Sequence, residues 1–391
     1  MKNIILLFIT IFLFPGLFAQ NSINDILAGI EKNNTTLSAL RKGADAELIG
    51  NRTGIFLQNP EVAFNYLWGS PEAAGNRTDL NISQTFDFPT AYVYRNQIAD
   101  YRNVQVELEY EKQRKSILYH TKLICTDLIY LNALKAQLSR RVLNTQSIAQ
   151  AYKLKFEKGD ANILEYNRAQ LNFITLSKDL ESNEAERNLL LSELAGLNGG
   201  VSLDLKDTIL LSENITPDFE QWYAQSEQNN PVLKWLKQEI AISQKQVNLS
   251  TASALPRIQG GYMSEKVVGL QYQGVALGIT VPLWQDKNSI KYAKAKTIAV
   301  QSIEADTKIR FYNELKGLHS KAISLQNSIN DYRQSLRMIN SEVLLKKSFD
   351  KGQLSVSEYF IELSFYYESA YKLLELERDL NKTIAELYKY N

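Results

Sequence analysis

The sequence predicts a mainly α-helical chain with a small β part, built from a duplicated helix–strand–strand–helix unit. Three observations carry this expectation. Long stretches lack helix breakers: there is no Gly or Pro from Thr90 to Lys158, one Gly (Gly317) and no Pro from Leu283 to Lys351, and neither from Gln353 to Asn391. Two short regions between these stretches alternate apolar and polar residues with period two. Prolines, glycines and aromatic residues recur at a near-constant offset in the two halves of the chain.

The N-terminus carries Lys2, the apolar run Ile4–Phe14, then Pro15-Gly16 and Leu17-Phe18-Ala19. This is the layout of a signal peptide over residues 1–19, cleaved after Ala19 and directing export. No cysteine follows the cleavage site, so no lipid anchor is expected there. Beyond this segment no apolar run reaches the length of a membrane-spanning helix. A membrane-embedded form of the chain would therefore have to use strands closed into a barrel.

A first repeat is expected over residues 20–199. Its opening helix contains Asn33-Asn34-Thr35-Thr36-Leu37. Strands follow at about 60–69 and 78–88. Val62, Phe64, Tyr66 and Trp68 share one face of the first, and Leu80, Ile82, Phe86 and Phe88 one face of the second, with Gln84 as the polar exception. Pro60 marks the strand start and Pro89 the strand-to-helix junction. A long helix then runs to a glycine turn at Gly159, and a second helix returns. Ile124, Leu128, Leu131, Leu138 and Val142 follow heptad spacing along the first of these, as a helix-packing seam requires.

Residues 200–222 read as a linker. A second repeat is expected over 223–391, with strands at about 256–264 and 272–283 and the helical turn at Gly352. Val275, Leu277, Ile279, Val281 and Leu283 share a face there, while Gly260 and Gly261 weaken the preceding strand. Pro60 and Pro256 lie 196 residues apart, and Pro89 and Pro282 lie 193 apart. Phe156-Glu-Lys-Gly159 and Phe349-Asp-Lys-Gly352 are also 193 apart, as are Glu165-Tyr166 and Glu358-Tyr359. Pro256 and Pro282 thus take the places of Pro60 and Pro89, and the two long helices are expected to be equal. Four strands cannot close a barrel, since small membrane barrels begin at about eight. Several copies must pool their hairpins, which leaves Phe64, Tyr66, Trp68, Leu277 and Ile279 facing lipid.

Composition narrows the function. The 44 Lys and Arg nearly cancel the 43 Asp and Glu, so a nucleic-acid partner is not expected. One cysteine, two histidines and three methionines provide little for a disulfide framework or a soft-metal site. His120, His319 and Cys125 read as packing residues. No nucleophile–base cluster, phosphate loop or metal motif is present, so neither an enzyme nor a cofactor is expected.

The duplicated unit, the Asn-x-x-Leu opening helix, the Pro60 and Pro256 strand starts and the turns Phe156–Glu165 and Phe349–Glu358 together resemble the outer-membrane efflux channel family, the TolC-like proteins, over essentially the whole mature chain. Leu67-Trp68-Gly69 and Phe86-Asp87-Phe88-Pro89 are similar to its heavy-metal, CusC/CzcC-like branch. The resemblance implies a homotrimer with a 12-stranded outer-membrane β-barrel and a long α-helical periplasmic barrel of 12 helices. It implies a passive conduit in a tripartite efflux system, exporting small solutes such as heavy-metal cations. Residues 200–222 would be equatorial. The tips at Gly159 and Gly352 would dock on a periplasmic adaptor protein and, through it, a proton-driven inner-membrane pump. Glu165 and Glu358, six residues after each tip glycine, would form carboxylate rings at the periplasmic aperture, and crowding there would raise some of their pKa values. The family's latch positions hold Phe156, Ala161, Phe349 and Leu354 here and do not match. A periplasmic adaptor or other coiled-coil interaction protein is the alternative. It would show one helical hairpin flanked by β-rich domains, whereas this chain repeats hairpin and strands in equal order.

Overall fold

The computed structural model describes residues 21–211, 213–338 and 341–390. The signal peptide expected at 1–19 lies outside them. The elements run α1 (Asn21–Asn33), α2 (Thr35–Gly50), β1 (Glu61–Leu67), β2 (Arg77–Phe86), α3 (Pro89–Glu157), α4 (Ile163–Leu197), α5 (Phe219–Asn229), α6 (Pro231–Ser253), β3 (Arg257–Val267), β4 (Leu270–Thr280), α7 (Ser289–Met338), α8 (Ser341–Asp350) and α9 (Val356–Leu387). The chain is mainly helical, with one four-stranded antiparallel sheet in the order β1-β2-β3-β4.

The duplication is visible element by element. Each repeat opens with two helices joined at a buried asparagine, Asn34 or Asn230. The Asn34 amide donates to Leu197 O at 2.7 Å, and the Asn230 side chain accepts from Val232 N and Leu233 N as the N-cap of α6, with Pro231 at the first helical position, where its missing N–H is no loss. The opening helix is therefore two helices, not one. In the second repeat it begins at Phe219, inside the segment read as linker.

Compactness does not follow the repeats. One unit, here the helical unit, gathers the chain up to Thr35, Lys115–Phe219 and Lys316–Lys389; the other, the sheet-bearing unit, gathers Thr36–Arg114 and Glu220–Leu315. Each draws on both repeats. In the helical unit, Ile26 and Ile30 of α1 pack with Ile124, Cys125, Leu128 and Ile129 of α3, Leu194 of α4, and Leu205 and Leu210. A second cluster joins Ala322 and Ile329 of α7 to Leu380 and Ile384 of α9. The expected seam residues Ile124, Leu128, Leu131 and Leu138 are all buried, each contributing about 1.5–3 kcal/mol of transfer free energy. Burial pushes the Cys125 thiol up to about 12, so it acts as a small apolar side chain. His120 pairs with Glu193 at 2.9 Å. His319 donates to Thr216 O at 2.8 Å and lies against Phe219.

The sheet-bearing unit carries corrections to the expected boundaries. The second hairpin closes through a two-residue turn, Val268-Gly269, with φ of 45° and 82°, so β3 and β4 run right up to it and pair from Arg257↔Thr280 to Val267↔Leu270. β3 runs through Gly260 and Gly261 without a break. A Cβ on Gly261 would lie 2.5 Å from Ile82 O, so glycine lets β2 approach β3 closely. Pro60 and Pro256 directly precede β1 and β3, and Pro89 is the first residue of α3. Pro282 behaves differently: β4 stops at Thr280, α7 starts only at Ser289, and Val281 and Leu283 lie beyond the strand. The long helices are consequently unequal at their starts, with α3 unbroken for 69 residues and α7 beginning seven residues after Pro282.

Candidate functional site

Two places carry the expected functional residues, and each is described within its own unit. In the helical unit, the chain reverses at Gly159 and Gly352 through the same hydrogen bonds. Asp160 N–H reaches Lys155 O at 2.8 Å and Gly159 N–H reaches Phe156 O at 3.0 Å; Gln353 N–H reaches Ser348 O and Gly352 N–H reaches Phe349 O, both at 2.9 Å. This is the Schellman end of a helix, and it needs a left-handed residue after the cap. Glycine supplies it, at φ 82° and 71°.

The next helix begins with a capping box in each case. Glu165 N–H donates to Asn162 Oδ1 at 2.9 Å and Asn162 N–H donates back to Glu165 Oε2 at 3.0 Å. Ser355 N–H and Oγ–H both donate to Glu358 Oε2 at 2.8 Å, while Glu358 N–H donates to Ser355 Oγ at 3.2 Å. Asn162-x-x-Glu165 and Ser355-x-x-Glu358 are the sequence signature of this box, and the sequence reading passed over it. Within one chain, backbone and hydroxyl donors of Ser355 hold the Glu358 carboxyl below the usual glutamate range, because hydrogen bonds to the charged form favour that form; the expected rise concerns carboxylates of several chains crowded in a ring.

Aromatic pairs brace both turns. Phe156 stacks on Tyr166 with centroids 5.5 Å apart, and Phe349 on Tyr359 at 4.5 Å. Tyr359 is buried among Ile148, Ala149, Tyr152, Ala169 and Val356, and its hydroxyl accepts from Asn144 Nδ2 at 3.3 Å. A groove between α4 and α9 is lined by Asn162, Leu164, Glu165, Arg168, Ser357 and Ile361.

Farther from the turns, Arg141 of α3 lies 4.1 Å from the ring centre of Tyr367 and 5.4 Å from that of Tyr371. It hydrogen-bonds the Tyr371 hydroxyl. Tyr367 O–H donates to Glu342 Oε1 at 2.8 Å, and Arg140 pairs with Glu342 at 3.4 Å. Burial, then the neighbouring Glu342, raises the Tyr367 pKa, so this hydroxyl stays a donor. The cluster ties α3 to α8 and α9. Sequence reasoning did not find it, because its members are scattered along the chain and carry no shared motif.

In the sheet-bearing unit, the register sorts the four strands into two faces. Val62, Ile82, Tyr262 and Val275 form one row, Gln84, Gly260 and Leu277 another, and Phe86, Ile258 and Ile279 a third. Phe64 and Tyr66 fall on the same face as these. Leu277 is 85% exposed. Trp68 lies just past β1, edge-on to Tyr66 at 5.5 Å. The opposite face carries Glu61, Ser83, Gly261 and Ala276 in one row and Ala63, Asn81, Met263 and Gly274 in another. Gln84, the polar intruder, donates its amide to Gln58 O at 2.6 Å. One face is thus apolar and exposed over the half of the sheet near Phe86 and Ile279, and carries Ser264, Lys266, Gln271 and Gln273 toward the Val268-Gly269 turn; the other is mostly small and polar, with Met263 and Tyr272 among its exceptions. The outer edges of β1 and β4 have no partner strand among the described residues. Among the described residues no cluster of His, Cys, Asp and Glu gathers that could hold a metal ion, and no helix is long and apolar enough to cross a membrane.

No protein-family model matches the chain, and no curated protein matches its sequence. Solved structures do match. The membrane channel protein CusC superposes with a TM-score of 0.79 at 13% identity, covering 94% of this chain and 91% of that one. The outer membrane channel CmeC of Campylobacter jejuni gives 0.75 at 15% identity, covering 94% and 85%. The outer membrane protein VceC of Vibrio cholerae gives 0.74 at 14%, covering 95% and 96%. The chain has the fold of these outer-membrane channels.

Proposed function

We propose that this chain is the subunit of a passive outer-membrane export channel and not an enzyme. The observation that carries the reading is the sheet. It has one face that is largely apolar and exposed, an opposite face that is mostly small and polar, and two edges unpaired among the described residues, in a chain that also carries helices of 69 and 50 residues. An exposed apolar face of this extent needs a non-aqueous neighbour, and unpaired edges need partner strands. Three copies would supply twelve strands, four from each, closing a barrel with Phe64, Tyr66, Trp68, Leu277 and Ile279 toward lipid. The likeness to CusC, CmeC and VceC supports the same arrangement.

On this reading the work is conduction, and the driving energy comes from an inner-membrane pump reached through a periplasmic adaptor that docks at the Gly159 and Gly352 turns. Glu165 and Glu358 would repeat around the axis of the assembly, their carboxylates fixed by the capping boxes, and favour cations. The similarity of Leu67-Trp68-Gly69 and Phe86-Asp87-Phe88-Pro89 to the heavy-metal branch favours metal cations as cargo.

Reconstitution of the full chain into planar bilayers tests this. Stepwise conductance from a trimeric species, reduced assembly for Leu277→Arg and near-normal assembly for Asn65→Arg are expected. Monomers without conductance, or equal loss in both variants, would overturn the reading.

A further inference from the structure

The two connections from sheet to long helix differ in charge as well as length. After β2, only Asp87 and Phe88 precede α3, and the nearby cations are paired: Arg95 with Asp87 at 2.6 Å, Arg257 with Asp87 at 3.4 Å, and Arg52 with Asp100 at 2.5 Å. After β4, residues 281–288 precede α7. Val281 and Leu283 continue the odd-numbered apolar series of Val275, Leu277 and Ile279, and both are exposed; Trp284 beside them is 80% exposed.

Lysines follow at once. Lys287, Lys291, Lys294 and Lys296 are all exposed, and none of the described ion pairs involves them. Asp286 is the one acid between Trp284 and Val300; it is half-buried, with its Oδ2 fully covered. Ala293 and Val300 are buried, so the lysines of α7 lie on the arc that faces away from the protein. Subtracting the repeat offset of 193 gives Ala91, Tyr94, Ile98, Tyr101 and Asn103 at the places of Trp284 and the four lysines. None is basic, so neither the duplication nor the helix itself requires this patch.

We propose that the segment from Val281 to Lys296 is an interfacial anchor for anionic phospholipid, with Leu283 and Trp284 at the acyl–headgroup boundary and the lysines on the phosphates. The inference rests on the reading of the sheet's apolar face as the lipid face. Indole rings settle at the headgroup level, and lysines near an anionic leaflet each add attraction. Four unpaired, strongly hydrated ammonium groups spread over an exposed arc suit a diffuse anionic surface better than a pocket for one ligand. Val281 and Leu283 are exposed apolar residues directly after β4, whose exposed face carries Leu277 and Ile279, so the lysines that follow would lie just outside the hydrocarbon.

The test is fluorescence quenching of the full chain reconstituted in phosphatidylcholine vesicles containing some phosphatidylglycerol, with bromine on the acyl chains of one lipid or the other. The Trp284 signal is the difference between the parent chain and Trp284→Phe. Brominated phosphatidylglycerol should quench more than brominated phosphatidylcholine at equal mole fraction. The preference should fall by up to about fivefold for each lysine changed to glutamine, and shrink as salt shortens the screening length from about 10 Å to about 3 Å. Equal quenching by both lipids, or a preference that survives K287Q/K291Q/K294Q/K296Q, would overturn the proposal. So would absence of quenching by either lipid, which would put the segment against another protein chain. Conductance of the same vesicles separates the failures: conducting channels without lipid preference sink only the anchor, whereas a chain that neither inserts nor conducts sinks the channel reading as well.

Discussion

At Gly159 and Gly352 the chain reverses through the same hydrogen bonds, enters the same capping box and stacks the same Phe on the same Tyr. Yet Tyr166 is half-buried, whereas Tyr359 is 2% exposed and hydrogen-bonded to Asn144. Local geometry was duplicated and packing was not. The second turn is embedded in side chains of α3 and α4, and the Arg141 cluster adds a second tie from α3 to α8 and α9. The first turn is held mainly by its own short-range bonds. Equal caps with unequal burial imply that the two turns should respond alike to backbone changes and differently to side-chain truncation.

Truncation should separate them most. Tyr359→Ala removes a buried aromatic ring and should cost about 3–5 kcal/mol locally, read as faster hydrogen exchange across α8 and α9. Tyr166→Ala should cost about 1 kcal/mol, the more usual size for a point substitution. Equal exchange in both variants would break the comparison. Arg141→Gln comes next. It removes a charged donor from two tyrosine rings, and about 1.5–3 kcal/mol is expected, with exchange rising in α9 around Tyr367 and not in α4. Glycine replacement should abolish the contrast. Gly159→Ala and Gly352→Ala each force a side chain into the left-handed region, at about 1–2 kcal/mol, and the two losses should match.

The smallest effect is a pH dependence. The Glu358 carboxyl titrates below its unfolded value, so its cap contributes fully above the unfolded pKa and is lost as pH falls through the lower folded one. Exchange at the Ser355–Glu358 turn should therefore rise as pH falls below the unfolded glutamate value, and Glu358→Gln should remove that rise.

Much of this was legible in the chain because it is local. Prolines and glycines marked the turns, and strict alternation marked the strands and sorted Phe64 and Leu277 to one face. The capping boxes were equally local and were missed only because Glu165 and Glu358 were read as charges and not as acceptors. The second hairpin was drawn too short, since Val268 gives no sign of a left-handed turn; a β-branched residue rarely adopts that conformation. Pro282 misled because its counterpart Pro89 starts a helix, and the added loop depends on what surrounds it. The Arg141 cluster joins residues 141, 342, 367 and 371, whose meeting only tertiary packing decides.

Because each compact unit draws on both repeats, neither can be finished early during synthesis. The sheet lacks β4 until Thr280 has emerged, and the helical unit lacks its closing face until α9 ends at Leu387. Contacts this distant in sequence form slowly, and strand edges and apolar faces stay open meanwhile. A nascent chain of this design spends nearly its whole translation without a completed core, so holding it unfolded and soluble falls to whatever binds it during that time. For the same reason, a truncated half is expected to aggregate where a repeat that folded by itself would survive.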